Sequence, residues 1–324
     1  MSQDDILLPN GASLSREVVR QLSWNDETAG SEWFDRLPAL LREYCDAWNI
    51  QLEPGIPQLN YNLVLFGTTP DTGPVMIKTG PPNREMTAEI SALRVPGREG
   101  VVRVIDADPS VSIMLQERVV PGTSLNEMMD RGEISDEDAT VLVAEAMQRF
   151  WIAPPIGARI IPLRSWFKAL DDYVDAHPDG TGAIPGHMIE VAIGLADHLL
   201  NTTIEPMVLH GDLNPGNILW DETNGWTIID PKGLLGPRGY EIGTWMINPY
   251  GLHARPDLRE TLDRRLDQFA RLLGIERHRL WQWSVVHAVL SECWTLEGGG
   301  VEPDHLHALE VANVLLQLPD AGRQ

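Results

Sequence analysis

The chain has 324 residues, 43% of them hydrophobic and 22% charged, the balance of an ordinary globular protein long enough for two lobes. Its 25 Lys and Arg stand against 47 Asp and Glu, a net charge of −22. Such a surface repels phosphate backbones and attracts cations, so nucleic acid is a poor partner and a cationic small molecule a natural one. Cys45 and Cys293 are far apart and have no metal-ligand spacing, which argues against a disulfide framework or a zinc site. The opening Met1–Asp5 lacks a basic region followed by an apolar core, and no apolar run reaches membrane-spanning length. A cytoplasmic protein without a membrane partner is expected.

Residues 1–50 hold amphipathic pieces such as Trp33–Leu41, expected as helices beside a small β-rich lobe. Short strands should fill Asn60–Arg118. Tyr61–Phe66 and Pro74–Lys78 flank the turn-forming Gly67–Gly73, and Val101–Ile105 and Val111–Leu115 flank Asp106–Ser110, which predicts two hairpins. Between them, Asn83–Leu93 has helical spacing, with Met86, Ile90 and Leu93 on one face. The character changes near 117–123, which sets the expected domains at 1–118 and 124–324 with 119–123 as a hinge. Beyond it, Ser135–Asp138 supplies an N-cap and an acidic first turn for a helix through Val141, Ala144, Met147 and Phe150. Ser165–Ala176, Met188–Leu200, Asp257–Leu273, His278–Leu296 and His305–Leu318 give further helices, interrupted by strand-like pieces around Asn217 and Asp230. The fold class is α+β, with a small β-rich lobe and a larger helical one.

The chemistry concentrates in His210-Gly-Asp212-Leu-Asn-Pro-Gly-Asn217-Ile-Leu, followed by Ile228-Ile-Asp230-Pro. Phosphoryl transfer needs an oriented nucleophile, an acceptor for its proton, and neutralised phosphoryl oxygens. Asp212 is placed to accept from a substrate hydroxyl. Asn217 and Asp230 are hard oxygen donors suited to magnesium. An Asp-x4-Asn pair alone is ordinary turn composition, but the whole pattern is far stricter.

This segment resembles the catalytic loop of the aminoglycoside phosphotransferase family. Ile229–Gly243, Asn248-Pro249 and Leu290–Glu297 are similar to its streptomycin 6-phosphotransferase and hydroxyurea phosphotransferase branch, over about Val75–Gly299. The resemblance implies a protein-kinase-like two-lobed fold using ATP and magnesium. By it, Asp212 is the catalytic base, Asn217 and Asp230 hold the metal, and His210 props the loop. Lys78 grips the nucleotide phosphates with Glu89 as helix partner, although Glu85 competes from one turn away. Gln116, Glu117 and Val119 lie in the linker that holds adenine through main-chain groups, in a register that stays open. The acceptor wall takes in Glu292, Trp294 and Glu297 with Asn248 and Tyr250, where carboxylates and an indole suit a guanidinium or ammonium group.

Some of the family pattern is missing. No glycine-rich Gly-x-Gly-x-x-Gly precedes Lys78, which leaves Pro54–Pro57 as the segment to cover the phosphates, and Glu241 stands where many relatives carry Asp. His305 and His307 read as exposed helix surface, and Trp281 and Trp283 as core. The expected activity is transfer of the ATP γ-phosphate to a hydroxyl of a streptomycin-like aminoglycoside, by a monomer or homodimer. The alternatives are a metabolic kinase of a sugar, amino sugar or hydroxyurea, and a non-catalytic nucleotide-binding protein. Protein kinase activity is disfavoured, because the His-Arg-Asp, Asp-Phe-Gly and Ala-Pro-Glu marks are absent.

Overall fold

In a computed structural model of the chain, residues 5–17, 22, 27–59, 61–95, 98–203, 205–297 and 306–319 are described. The chain divides into two compact units, Met1–Pro96 with Val102–Gly122, and Gly97–Val101 with Thr123–Gln324.

In the first unit, β1 (Asp5–Leu7) pairs with β2 (Ser13–Ser15), and α1 (Glu27–Ala47) follows. Strands β3 (Gln51–Leu52), β4 (Gln58–Leu59), β5 (Leu63–Thr69) and β6 (Gly73–Thr79) lead to α2 (Arg84–Leu93), then β7 (Val104–Asp108) and β8 (Ile113–Glu117). The antiparallel order is β3-β5-β6-β8-β7, with β4 also on β5. Strand alternation sends Leu63, Leu65, Val75, Ile77, Ile113 and Leu115 to one face, where they share a core with Trp33, Phe34, Leu37 and Leu41 of α1. Each such side chain contributes about 1.5–3 kcal/mol of burial. The amphipathic N-terminal stretch is thus one helix covering the back of the sheet, and Pro38 is accommodated inside it.

Two hairpins shift from their predicted positions. Gly67 lies in strand β5 rather than in the turn, because a Cβ there would come 2.8 Å from Gln51 O of β3. The second hairpin moves two or three residues C-terminal. Asp108 Oδ1 accepts from Ser110 N–H at 2.9 Å to form its turn, while Val101 bridges Ile228 of the second unit in parallel. Residues 98–101, predicted to precede the hinge, therefore belong with the second unit.

Strand β9 (Pro121–Ser124) spans the point where the chain passes to the second unit, which continues with α3 (Leu125–Asp130), α4 (Asp136–Phe150), β10 (Ile161–Pro162), α5 (Lys168–Ala176), α6 (Gly186–Asn201), β11 (Met207–Leu209), β12 (Ile218–Asp221), β13 (Gly225–Ile228), β14 (Leu234–Gly236), α7 (Ile242–Ile247), α8 (Leu258–Leu273), α9 (Arg277–Glu297) and α10 (His307–Leu316). Ser135 caps α4, its Oγ accepting from Asp138 N–H at 3.1 Å. Helix α9 is buried nearly all round, with Trp281 and Trp283 in the core as expected. Arg265 of α8, fully buried, donates to Trp245 O at 2.6 Å and Asn248 O at 2.8 Å and pairs with Asp136. The Asp136 carboxyl is held below its usual range: the two arginines, Arg265 first, outweigh the burial that opposes them. His305 lies outside the described residues. Cys45 and Cys293 are both buried free thiols, and no described helix is long and apolar enough to cross a membrane.

Candidate active site

The loop that holds the His-Gly-Asp motif is closed at its base by the sheet. Leu209, the last residue of β11, pairs with Leu234, the first of β14, and Lys232 N–H donates to His210 O at 2.7 Å. Residues 210–233 therefore leave and return at one point, with the β12/β13 hairpin between. Ile229 N–H donates to Asn217 O at 3.0 Å, which carries that ladder one step past Ile218 and Ile228. Asn217 and Asp230 consequently emerge from the same open end of the hairpin. Asn217 Nδ2 donates to Asp212 O at 2.8 Å, and Asn214 Nδ2 donates to Asp212 Oδ1 at 3.1 Å. Asp212, Asn217 and Asp230 are thus tied into one constellation by bonds spanning fewer than twenty residues.

Two backbone positions show what this arrangement demands. Gly211 has φ +82°, and a Cβ there would lie 2.6 Å from Leu234 Cδ1, so only glycine fits. Asp230 has φ +56°, a left-handed conformation that costs a non-glycine residue roughly 1–2 kcal/mol and persists where the surroundings enforce it.

His210 is a strut. Its Nε2–H donates to Ile229 O at 2.7 Å and its Nδ1 accepts from Asp212 N–H at 3.2 Å, so the imidazole spans the loop in one neutral tautomer. Complete burial pushes its pKa down to about 4. Phe150 meets the ring edge-on at 5.2 Å, and the Arg98 guanidinium lies 4.0 Å from the Phe150 centroid.

Below the strut sits Glu241, 1% exposed. Oε2 accepts from His210 N–H and Oε1 from Gly211 N–H, both at 2.7 Å, and Trp151 Nε1–H reaches Oε2 at 3.3 Å. Burial pushes this carboxyl up to about 7, against the hydrogen bonds that oppose the shift. The carboxylate expected to differ from the family pattern thus bonds the backbone of the loop. Trp151, Phe150 and Arg98 had no motif to mark them; Trp151 is simply the residue after α4.

In the first unit, Lys78 near the end of β6 is 5% exposed and donates to Glu89 Oε1 at 2.7 Å and Oε2 at 2.9 Å. Glu89 is buried on α2 and Glu85 is exposed. Gln116 and Glu117 end strand β8, so the linker begins after them; Glu117 pairs with Arg103, and Val119 is half-buried. Pro54–Ile56 is an exposed stretch between β3 and β4 with Pro57 buried behind it, and Gln58 of β4 pairs with Val64, which lies in the row Val64–Lys78–Met114.

The family described as Aminoglycoside/hydroxyurea antibiotic resistance kinase matches residues 47–299. The chain belongs to this family. It is 27% identical over 320 residues to the streptomycin 6-kinase of Streptomyces griseus, covering 92% of this chain and 94% of that one. It is also 27% identical over 297 residues to the hydroxyurea phosphotransferase of Kitasatospora aureofaciens, covering 89% and 81%. Among solved structures, the choline kinase LicA from Streptococcus pneumoniae superposes with a TM-score of 0.57 at 12% identity, covering 87% of this chain and 98% of that one. The fold is protein-kinase-like and the protein is an enzyme of the kinase class.

The magnesium ion that the family resemblance implies fits the donors present: the Asn217 amide oxygen and the Asp230 carboxylate are hard ligands at one hairpin end. Among the described residues no group of three or more His, Cys, Asp or Glu is placed to hold a metal, and magnesium held partly by phosphates and water needs none.

The acceptor-wall candidates of this kinase differ in what they bond. Glu292 is 2% exposed and its Oε1 accepts from the backbone N–H groups of Ala308 and Leu309, which caps α10 from α9. It is therefore engaged with main chain and turned away from solvent. Asn248 caps α7, donating to Thr244 O at 2.9 Å, and the exposed Tyr250 hydroxyl is hydrogen-bonded to His307 Nε2 at 3.1 Å. Trp294 is half-buried and meets Trp166 edge-on at 4.9 Å. The exposed Glu297 has its pKa raised, first by desolvation and then by Asp172. Trp166, against Trp294, and Asp172, whose charge acts on Glu297, were not singled out in the sequence.

Proposed function

We propose that this kinase moves the γ-phosphate of ATP to a hydroxyl of a small cationic molecule of the streptomycin type. The carrying observation is the bond set Asn217 Nδ2–Asp212 O and Ile229 N–Asn217 O, which orders Asp212, Asn217 and Asp230 on one loop. In this reading Asp212 accepts the hydroxyl proton as the substrate oxygen attacks the γ-phosphorus. The bond to the bridging oxygen breaks and ADP departs. Asn217 and Asp230 would hold magnesium, which supplies neutralisation of phosphate charge. Lys78, kept extended by Glu89, is the cation for the nucleotide phosphates, and His210 and Glu241 hold the loop backbone against the recoil of charge. The net charge of −22, together with Trp294 and Glu297, favours a cation as acceptor.

The likeness to the hydroxyurea enzyme favours a second acceptor, hydroxyurea. A screen of ATP consumption with magnesium across streptomycin, other aminoglycosides, amino sugars and hydroxyurea tests both, with mass spectrometry of the product. One added phosphate on streptomycin is the expected result. Phosphate on hydroxyurea alone would replace the acceptor and keep the chemistry, and no product with any acceptor would remove the proposal.

A further inference from the structure

We infer that the side chain of Gln116 selects the nucleobase, accepting a hydrogen bond from an exocyclic amino group and so favouring adenine over guanine. The inference rests on the reading of the protein as a nucleotide-dependent kinase.

The sheet of the first unit has two unlike faces. One is sealed by α1. The other carries Val64, Phe66, Met76, Lys78, Met114 and Gln116, and Val64, Phe66 and Met76 are only half-buried. The register sets Lys78 opposite Met114 and Met76 opposite Gln116. Gln116 thus stands two residues, about 7 Å, along the strand from the Lys78 row and on the same face. A nucleotide whose phosphates meet Lys78 spans that step with its sugar and brings its base to Met76 and Gln116. Met76 offers a polarisable apolar surface to the ring.

Gln116 is 1% exposed, yet its Oε1 has no hydrogen-bond partner among the described residues. Its Nε2 lies 3.9 Å from Met76 Sδ, a weak acceptor. Rotating the amide by half a turn would set Oε1 against that sulfur, acceptor against acceptor, so the thioether fixes which end of the carboxamide is left over. An unpaired buried carbonyl oxygen is costly and rare enough to ask for a ligand donor. The neighbouring main-chain donors are already spent, Glu117 N–H on Arg103 O at 3.0 Å and Arg118 N–H on Pro74 O at 3.2 Å. At the six-position of the purine, adenine presents an amino donor and guanine a carbonyl acceptor. Gln116 Oε1 satisfies the first and opposes the second.

The test is equilibrium binding of ATP, GTP and purine riboside triphosphate, which lacks the six-amino group, to the full chain with magnesium. The native chain should prefer ATP to each of the other two by roughly tenfold or more. Gln116→Met, close in shape but without a strong acceptor, should reduce both preferences by roughly tenfold while the melting temperature stays near that of the native chain. Equal binding of ATP and purine riboside triphosphate by the native chain overturns the inference without any variant. So does a preference for GTP, or an ATP preference unchanged in Gln116→Met. Failure of the native chain to bind any of the three nucleotides would instead sink the kinase reading on which the inference stands.

Discussion

The loop at 210–230 and the helix end at 292–297 both looked like site material, and they behave differently. In the loop, most of the bonds join residues within about twenty of each other, Asn217 with Asp212, His210 with Ile229 and Lys232 with His210, and Glu241 adds a longer-range support under the His210 and Gly211 N–H groups. At the helix end, Glu292 finds its partners at Ala308 and Leu309, on another helix, and becomes a cap. A motif whose bonds are internal carries its geometry with it. A carboxylate on a helix takes its role from whatever packs against it.

Substitutions at the two regions separate catalysis from architecture. The largest effect should come from Asp212→Asn, which keeps the shape but removes the proton acceptor. Turnover is expected to fall roughly 10³-fold, with nucleotide affinity within about twofold, in an ADP-release assay beside calorimetry. Retention of most of the turnover would deny Asp212 the role of base.

Next is Glu241→Ala, which leaves two buried backbone N–H groups and an indole N–H unpaired. Unfolding in urea should show a loss of about 3–5 kcal/mol, with Glu241→Asp recovering part of it. A loss near zero would mean that the loop is held without this carboxylate.

Acid should act through the same buried groups. Burial holds His210 and His287 neutral down to about pH 4, against an ordinary 6.5. Between those values the unfolded chain binds protons that the native chain refuses, so stability falls as pH drops from 6.5 to 4, by up to about 3 kcal/mol for each histidine. Glu241, raised from 4.5 to about 7, works the other way: the native chain holds its proton there, and its contribution is lost as pH rises. Two histidines outweigh one carboxyl. Thermal melts should therefore show stability declining below pH 6.5, and a chain that gains stability on acidification to pH 5 would contradict this balance.

The helix end gives the smallest effects, split between its two carboxylates. Glu292→Ala should cost about 1–2 kcal/mol of stability through the lost cap and leave turnover unchanged. Glu297→Gln should do the reverse, raising KM for a cationic acceptor a few-fold while the melting temperature holds. A shift of KM in Glu292→Ala and none in Glu297→Gln would exchange the roles assigned to them.

Much of the fold could be read from pattern. The helix at 84–93, the Ser135 cap of α4, and the buried Trp281 and Trp283 all follow from periodicity and capping chemistry, and the structure adds Asn83 as the cap of the first. The hairpin containing Val101 could not, because an apolar β-branched run does not say which sheet it will join; Val101 pairs with Ile228. Helix α7 was missed for a related reason. Ile242–Ile247 has only six residues and is mostly apolar, too short to carry a detectable period.

Residue order alone specified the Gly211 turn and the hairpin that presents Asn217 and Asp230, whereas the cross-strand register that sets Lys78 and Gln116 on one side of a sheet came from the structure. The turn and the hairpin depend on dihedral limits and on hydrogen bonds between near neighbours in the chain. Packing settled that Glu89 rather than Glu85 is the buried carboxylate bonding Lys78, that Glu241 supports the loop from beneath, and that Glu292 faces a helix end. Those outcomes turn on which groups lose their water together, and that depends on segments dozens of residues apart coming into contact.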